Sequence, residues 1–317
     1  MSRGILPVDL FLSPMDIRAA LREGIKRLRA ANVPSHTLAA ELLLMHALGR
    51  DRTWLYTHPE ALLDMAAAEK YFALVSRRAS GEPTQYLTGK QEFWGLEFEV
   101  TPAVLIPRPE TEHVVEVALE RLGMRGIKIN LQTREPSPAL RIADVGTGSG
   151  CLAVALAHEL PHAEIFATDI SAEALAVAKQ NTARHGLANR VHFLNTNLLE
   201  AVLHESRTTS HESLLFDLIV SNPPYVARNA ADQLPQEVRD HEPNVALFPG
   251  PTGVEIYARL IEQAGSLLRP GGFLVLELGF DSADHVRRIF AAEPGWTNVS
   301  LTNDLAGIPR VIAAERI

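Results

Sequence analysis

Apolar residues recur at helical spacing through the first eighty positions. Ile17, Leu21, Ile25 and Leu28 form one stripe behind Ser13, Pro14 and Asp16, which predicts a capped amphipathic helix within 13–32. A second helix is expected after Ser35 as N-cap, with Leu38, Leu42 and Met45 on one face and Gly49 placed for a left-handed stop. A third is expected over Met65–Ala79, carrying Tyr71, Phe72 and Val75 and closing before Gly81 and Pro83. None of them pairs a nucleophile with a base, so they read as a small packed bundle.

The period then changes. Tyr86, Leu87, Phe93, Phe98, Val100 and Val104 favour strands, and Gly89, Gly95 and Pro102 punctuate them, so a β-hairpin linker is expected over 84–106. The run Ile106-Pro107-Arg108-Pro109-Glu110-Thr111-Glu112 fixes the backbone at two prolines. It sets acids in the first turn of a helix through Val114, Val115, Ala118 and Leu122. On composition alone Arg108 reads as a solvated loop residue.

From residue 140 the chain alternates. Strand-like apolar runs at 140–145, 165–168, 191–194, 215–221, 273–278 and 311–314 are separated by helical periods such as 172–185 and 253–268. This predicts an α/β fold with a mostly parallel sheet covered on both faces, and a ligand outside the carboxyl ends of its strands. The segments 124–137 and 204–213 hold no apolar period and read as surface loops.

Composition narrows the class. The length of 317 residues allows two domains, and 46% hydrophobic residues with 20 Gly and 20 Pro exclude disordered or collagen-like chains. A net charge of -8 argues against non-specific attraction to nucleic acid or anionic lipid. The single cysteine, Cys151, has no internal disulfide partner and reads as a small packing residue. Asp9 interrupts the first apolar run, and no stretch reaches about 18 apolar residues, so a cytoplasmic location without a membrane partner is expected.

Candidate chemistry lies at two strand ends. Asp144-Val145-Gly146-Thr147-Gly148-Ser149-Gly150 follows a buried strand and opens a helix, and its glycines let a ligand approach the backbone. Asp169 ends the next strand, 19 residues after Gly150, where an acid accepts both hydroxyls of a ribose. Adenosine is the expected ligand. Gly148, Gly150 and Ala153 also satisfy the spacing of a nicotinamide-binding turn, and tight strand-to-helix packing alone is a further reason for glycines there, so the loop by itself leaves the cofactor open.

Asn222-Pro223-Pro224-Tyr225 ends the strand at 215–221. The Asn222 oxygen and the Pro223 carbonyl suit the two N–H groups of a planar nitrogen, whose delocalised lone pair is a weak nucleophile. Two prolines stiffen the loop, and Tyr225 is expected to offer a flat face to the substrate. This is chemistry for methylating an amide or an exocyclic amine with a sulfonium donor; it requires no metal.

Together the glycine turn, Asp169 and the tetrad resemble S-adenosylmethionine-dependent N-methyltransferases. Gly81-Glu82-Pro83, Tyr86-Leu87, Glu92-Phe93, the 106–112 run, Glu242-Pro243, Asp304-Leu305-Ala306-Gly307 and Arg310-Val311 extend the resemblance, over nearly the whole chain, to the PrmC or HemK family. That resemblance implies a Rossmann-like methyltransferase sheet with a small N-terminal helical bundle. Its expected divisions are a substrate-recognition domain at 1–83, a hairpin linker at 84–106 and the methyltransferase domain at 107–317. The implied reaction takes a methyl group from S-adenosylmethionine, leaving S-adenosylhomocysteine, to the glutamine N5 of the Gly-Gly-Gln motif in class I peptide chain release factors.

The resemblance assigns Gly146, Thr147, Gly148, Ser149, Gly150, Asp169 and Asn222 to the donor, and Asn222, Pro223 and Tyr225 to catalysis. Arg108, Asn222, Pro223, Pro224 and Tyr225 fall to the substrate. Asn197 and Leu198 stand where the family often has an aspartate and an aromatic beside the adenine, so a hydrogen bond is kept and stacking is lost. A monomer acting without nucleic acid is expected. The alternatives are a ribosomal-protein glutamine methyltransferase, which shares the tetrad, an adenine N6-methyltransferase, which the acidic balance disfavours, and an adenosine-binding regulator without catalysis.

Overall fold

The computed structural model describes residues 15–124, 140–208 and 214–317. The segment 125–137 and residues 209–213 of the two expected loops, and the Ser13-Pro14 start, lie outside them. The chain forms two compact units, Met1–Gly89 with Gln236–His241, and Lys90–Pro235 with Glu242–Ile317.

The first unit is helical: α1 (Ile17–Ala30), α2 (His36–Leu48), α3 (Arg52–Thr57), α4 (Met65–Ala79) and α5 (Thr84–Thr88). Aspartates start three of them, because Asp16, Asp51 and Asp64 each accept from a backbone N–H three residues on, at 2.7 Å. Leu28, Leu43, Leu44, Tyr71, Phe72 and Val75 form its buried core. Ser35 is not the cap expected: it sits in the left-handed region at φ 49° and its side chain caps nothing. The strand expected at Tyr86 and Leu87 is helical, since Pro83 starts a turn that left-handed Gly89 closes. Residues Gln236–His241, helix α10, also belong to this unit, where Glu237 pairs with the buried Arg78.

In the second unit the hairpin contracts to β1 (Lys90–Phe93) and β2 (Leu96–Glu99). Trp94 and Gly95, at φ 56° and 70°, make its two-residue turn, and the Glu112 carboxylate accepts from Trp94 N at 2.8 Å. A short 3-10 turn, Pro109–Thr111, leads into α6 (Glu112–Met124).

The remaining elements run β3 (Arg141–Val145), α7 (Cys151–Glu159), β4 (Glu164–Asp169), α8 (Ala172–Arg184), β5 (Val191–Asn195), α9 (Glu200–Thr208) and β6 (Phe216–Ser221). Then come α11 (Asn244–Leu247), α12 (Glu255–Leu267), β7 (Leu268–Glu277), α13 (Ala283–Ala292), β8 (Trp296–Asn303) and β9 (Pro309–Arg316). Residues 204–208 are therefore the end of α9 rather than loop.

The sheet order is β5-β4-β3-β6-β7-β9-β8, parallel from β5 to β7 with β9 antiparallel to both its neighbours. Successive residues of one strand feed opposite cores: Ile142 joins Val114, Ala118 and Val154, while Ala143 and Val145 join Tyr257, Leu260 and Ile261. The chain reverses its direction of winding between β3 and β6, which opens a crevice at their carboxyl ends. Among the described residues no helix is long and apolar enough to cross a membrane.

Candidate functional site

A cleft of about 310 Å³ lies at that crevice. Gly146, Thr147, Gly148, Ser149, Asp169, Asn197, Leu198, Asn222 and Pro224 all line it. Segments 146–152, 169–174, 197–198 and 222–224 thus converge from four strand ends. The residues expected on the donor side meet here, except Gly150, which lies just behind.

The glycine turn divides its labour. Gly146 and Gly148 hold φ 72° and 55°, and a Cβ on either would meet nothing, so both present bare backbone to open space. Gly150, at φ 83°, is instead a packing residue, since a Cβ there would stand 3.2 Å from Ala178 Cβ on α8. It is the N-cap of α7. Thr147 donates to Asp144 Oδ2 at 2.6 Å, and Ala153 N donates to the same oxygen at 3.1 Å, which fixes the loop to the buried end of β3.

Asp169 is held by backbone donors on both sides of its carboxylate. Gly148 N donates to Oδ2 and Ser171 N to Oδ1, each at 2.9 Å. Burial raises its pKa, and these N–H groups oppose the rise. Leu198 sits at φ 54°, which turns the chain after β5 so that both it and Asn197 reach the cleft wall.

The tetrad is tied inward. Asn222 Nδ2 donates to Thr111 Oγ1 at 3.0 Å, and Thr111 Oγ1 donates to Glu277 Oε2 at 2.6 Å. Tyr225 OH donates to Glu277 Oε1 at 3.2 Å. Pro223 is buried, and Tyr225 does not line the cleft: its hydroxyl takes the buried carboxylate, and its ring packs where a Cβ on Gly279 would be 2.9 Å from Tyr225 Cδ2. One side of the ring expected toward substrate thus packs on Gly279, while the residue stays partly exposed. Arg108 is neither a free loop residue nor a cleft residue, because it donates to the buried Glu242 at 2.5 Å. Glu242 also accepts from Ile106 N at 3.4 Å.

Besides Asp169, two buried carboxylates and a thiol near the cleft have altered acidity. Burial lifts Asp144 to about 7 against its bonds from Thr147 and Ala153, and Oδ1 has no hydrogen-bond partner. Burial also lifts Glu277 to about 7, with Glu110 reinforcing and Thr111, Tyr225 and Arg310 opposing. Burial, then Asp144, pushes the Cys151 thiol up to about 12, so it carries no thiolate at neutral pH.

Sequence reasoning missed Thr111 and Glu277 as members of the site, and Val245, Ala246 and Phe248 as its outer wall. A signal existed for Glu277, a lone acid inside the apolar run 273–278. Thr111 carried none, since a hydroxyl in a helix's first turn is commonplace.

The sequence profile of the PrmC N-terminal domain matches residues 19–89, and that of the methyltransferase small domain matches 125–240. The chain is 43% identical over 302 residues to the release factor glutamine methyltransferase of Koribacter versatilis, covering 95% of this chain and 99% of that protein. The protein of the same name from Moorella thermoacetica is also 43% identical, over the same shares of each chain. Among solved structures, the hMettl16 catalytic domain in complex with MAT2A 3'UTR hairpin 6 aligns with a TM-score of 0.52 at 18% identity, covering 76% of this chain and 81% of that one. That likeness is one of fold, a Rossmann-like methyltransferase sheet.

Proposed function

Because the chain belongs to the family of release factor glutamine methyltransferases, we propose that it methylates N5 of the Gly-Gly-Gln glutamine in class I peptide chain release factors. One observation carries the reading: the bare turn at Gly146 and Gly148, the Asp169 carboxylate and the Asn222 amide open into one cleft. The same surfaces fit S-adenosylmethionine. Gly146 to Ser149 would hold its amino acid part, Asp169 its ribose hydroxyls, and Asn197 with Leu198 its adenine. When bound, it supplies an electrophilic methyl group on sulfur.

The chain's own residues supply position rather than acid or base. Asn222 Oδ1 and the Pro223 carbonyl accept the two amide N–H bonds, which strengthen as positive charge develops on nitrogen. Pro223 and Pro224 hold those acceptors stiff. Tyr225 contributes from behind, through Glu277. The amide proton passes to solvent after the new C–N bond forms. The helical unit at the N-terminus is the surface we assign to recognition of the protein substrate, and a monomeric cytoplasmic enzyme fits the reading.

The test combines purified enzyme, methyl-labelled S-adenosylmethionine and an unmethylated class I release factor. Peptide mass spectrometry should place one methyl group on the Gly-Gly-Gln glutamine. Label absent from that peptide, or found in ribosomal protein or nucleic acid instead, would overturn the reading.

A further inference from the structure

A carboxamide has almost the same shape either way up, so an asparagine that must accept needs a neighbour able to tell oxygen from nitrogen. At Asn222 that neighbour is Thr111. A hydroxyl has one proton, and Thr111 gives its own to Glu277 Oε2 at 2.6 Å, which leaves only lone pairs for Asn222. Nδ2 is therefore the end of the amide that faces Thr111, at 3.0 Å, and Oδ1 is the end left for the cleft.

We propose that Thr111 and Glu277 are positioning residues that orient the Asn222 amide with its oxygen toward the substrate nitrogen. The proposal rests on the methyl-transfer reading above and adds how its acceptor is aimed. Glu277 does not line the cleft, so it acts only through Thr111 and Tyr225.

The relay has a polarity. With Glu277 ionised, both oxygens accept, one from Thr111 and one from Tyr225. A proton on Oε2 would turn that oxygen into a donor toward Thr111. The Thr111 proton would then need another acceptor, and the Asn222 carboxamide beside it offers one when it turns its oxygen inward. The amide would turn over and point its NH2 at the substrate N–H groups, donor against donor.

The groups acting on Glu277 are Tyr225 and Thr111 by hydrogen bond, and Glu110 and Arg310 by charge, Arg310 being itself paired with Asp304 at 2.8 Å. Tyr257 donates to its backbone oxygen at 2.8 Å, and the Cys151 thiol feels its charge. Because burial lifts this carboxyl to about 7, the reversed polarity becomes populated as pH falls below neutrality.

The experiment measures kcat, KM for the release factor and donor Kd from about pH 5.5 to 8.5 for wild type, T111V, T111S and E277Q. T111V, the same shape without the hydroxyl, should lower kcat about tenfold or more, with KM and donor Kd within about threefold. T111S should restore most of the rate. In an N222A background T111V should cost nothing further, because the two act as one unit. Wild-type kcat should fall below about pH 7, and E277Q should be slower yet lack that fall.

In parallel, NMR follows solvent exchange of the Asn222 side-chain NH2, assigned with N222D. Exchange should be slow in wild type and faster in T111V. Wild-type kcat and unaltered Asn222 exchange in T111V would overturn the proposal. An enzyme inactive on release factor would overturn the functional reading instead, and the exchange rates would still decide the orientation of Asn222.

Discussion

Gly148 N–H donates to Asp169 Oδ2 across 2.9 Å, so the glycine turn and the acid ending the next strand are one piece of structure. On the reading proposed above, removing the acid costs the site twice, once in ribose acceptors and once in the loop's own anchor. Asp169→Ala should weaken S-adenosylmethionine binding about thirtyfold or more, and Asp169→Asn, which keeps one acceptor, should fall between. Titration calorimetry checks both; an affinity unchanged in Asp169→Ala would remove the ribose assignment.

Gly150 and Gly148 should separate folding from binding. Gly150→Ala forces φ 83° on a side chain whose Cβ meets Ala178 at 3.2 Å, and should cost about 2 kcal/mol, seen as a melting point several degrees lower. Gly148→Ala meets open space and should cost about 1 kcal/mol through its backbone alone. Its methyl group enters the cleft, so donor affinity should fall more in Gly148→Ala than stability does.

Asn222→Ala removes the proposed acceptor and leaves the residues of the glycine turn unchanged. We expect kcat at least about a hundredfold lower with donor affinity within about threefold. Single-turnover methylation at saturating donor is the direct measurement, and a rate near that of wild type would refute the role.

Asp144 makes stability depend on pH. Its folded pKa of about 7 exceeds the unfolded value of 3.8, so the folded chain holds the proton more tightly. That contribution is complete below about pH 4 and is lost as pH rises to about 7. Asp144→Asn, which cannot ionise, should melt higher than wild type at pH 8 without donor, and the gap should close toward pH 4. Melting curves across that range test it; a gap that widened on acidification would be the opposite sign.

Arg108→Ala should act on the fold before it acts on substrate. It strips the cation from Glu242, a carboxylate with 1% of its side chain exposed, while Arg108 itself is 29% exposed. Destabilisation of about 2 kcal/mol is expected, below the range for a wholly buried pair. Glu242→Gln in the same background should recover part of the loss in a denaturant titration.

Helix α4 was legible to the residue because its apolar period, Gly81 and Pro83 all agree. The parallel strands were legible for the same reason: Ile142 and Ala143 must serve two cores, and only continuous apolar runs do that. Strand β8 was not, since Trp296–Asn303 lies at the sheet's edge with mostly half-buried or exposed residues and carries no such run. The helix at Thr84–Thr88 escaped because its few residues favour strands while the flanking Pro83 and Gly89 decide the outcome. In the site, the glycine turn, Asp169 and Asn222 announce themselves by residue type at a strand end. Thr111 and Glu277 do not, because 166 positions separate them and only the fold brings them to 2.6 Å.

Helix α10, at residues 236–241, completes a unit whose other helices end by residue 89. A ribosome making this chain therefore delivers the bundle's last piece only after about three quarters of the sequence has emerged. Until then Arg78 has no Glu237 to meet. The bundle's completion thus follows the synthesis of the sheet's first four strands, β3 to β6, and a fragment cut off at residue 89 would lack that last helix.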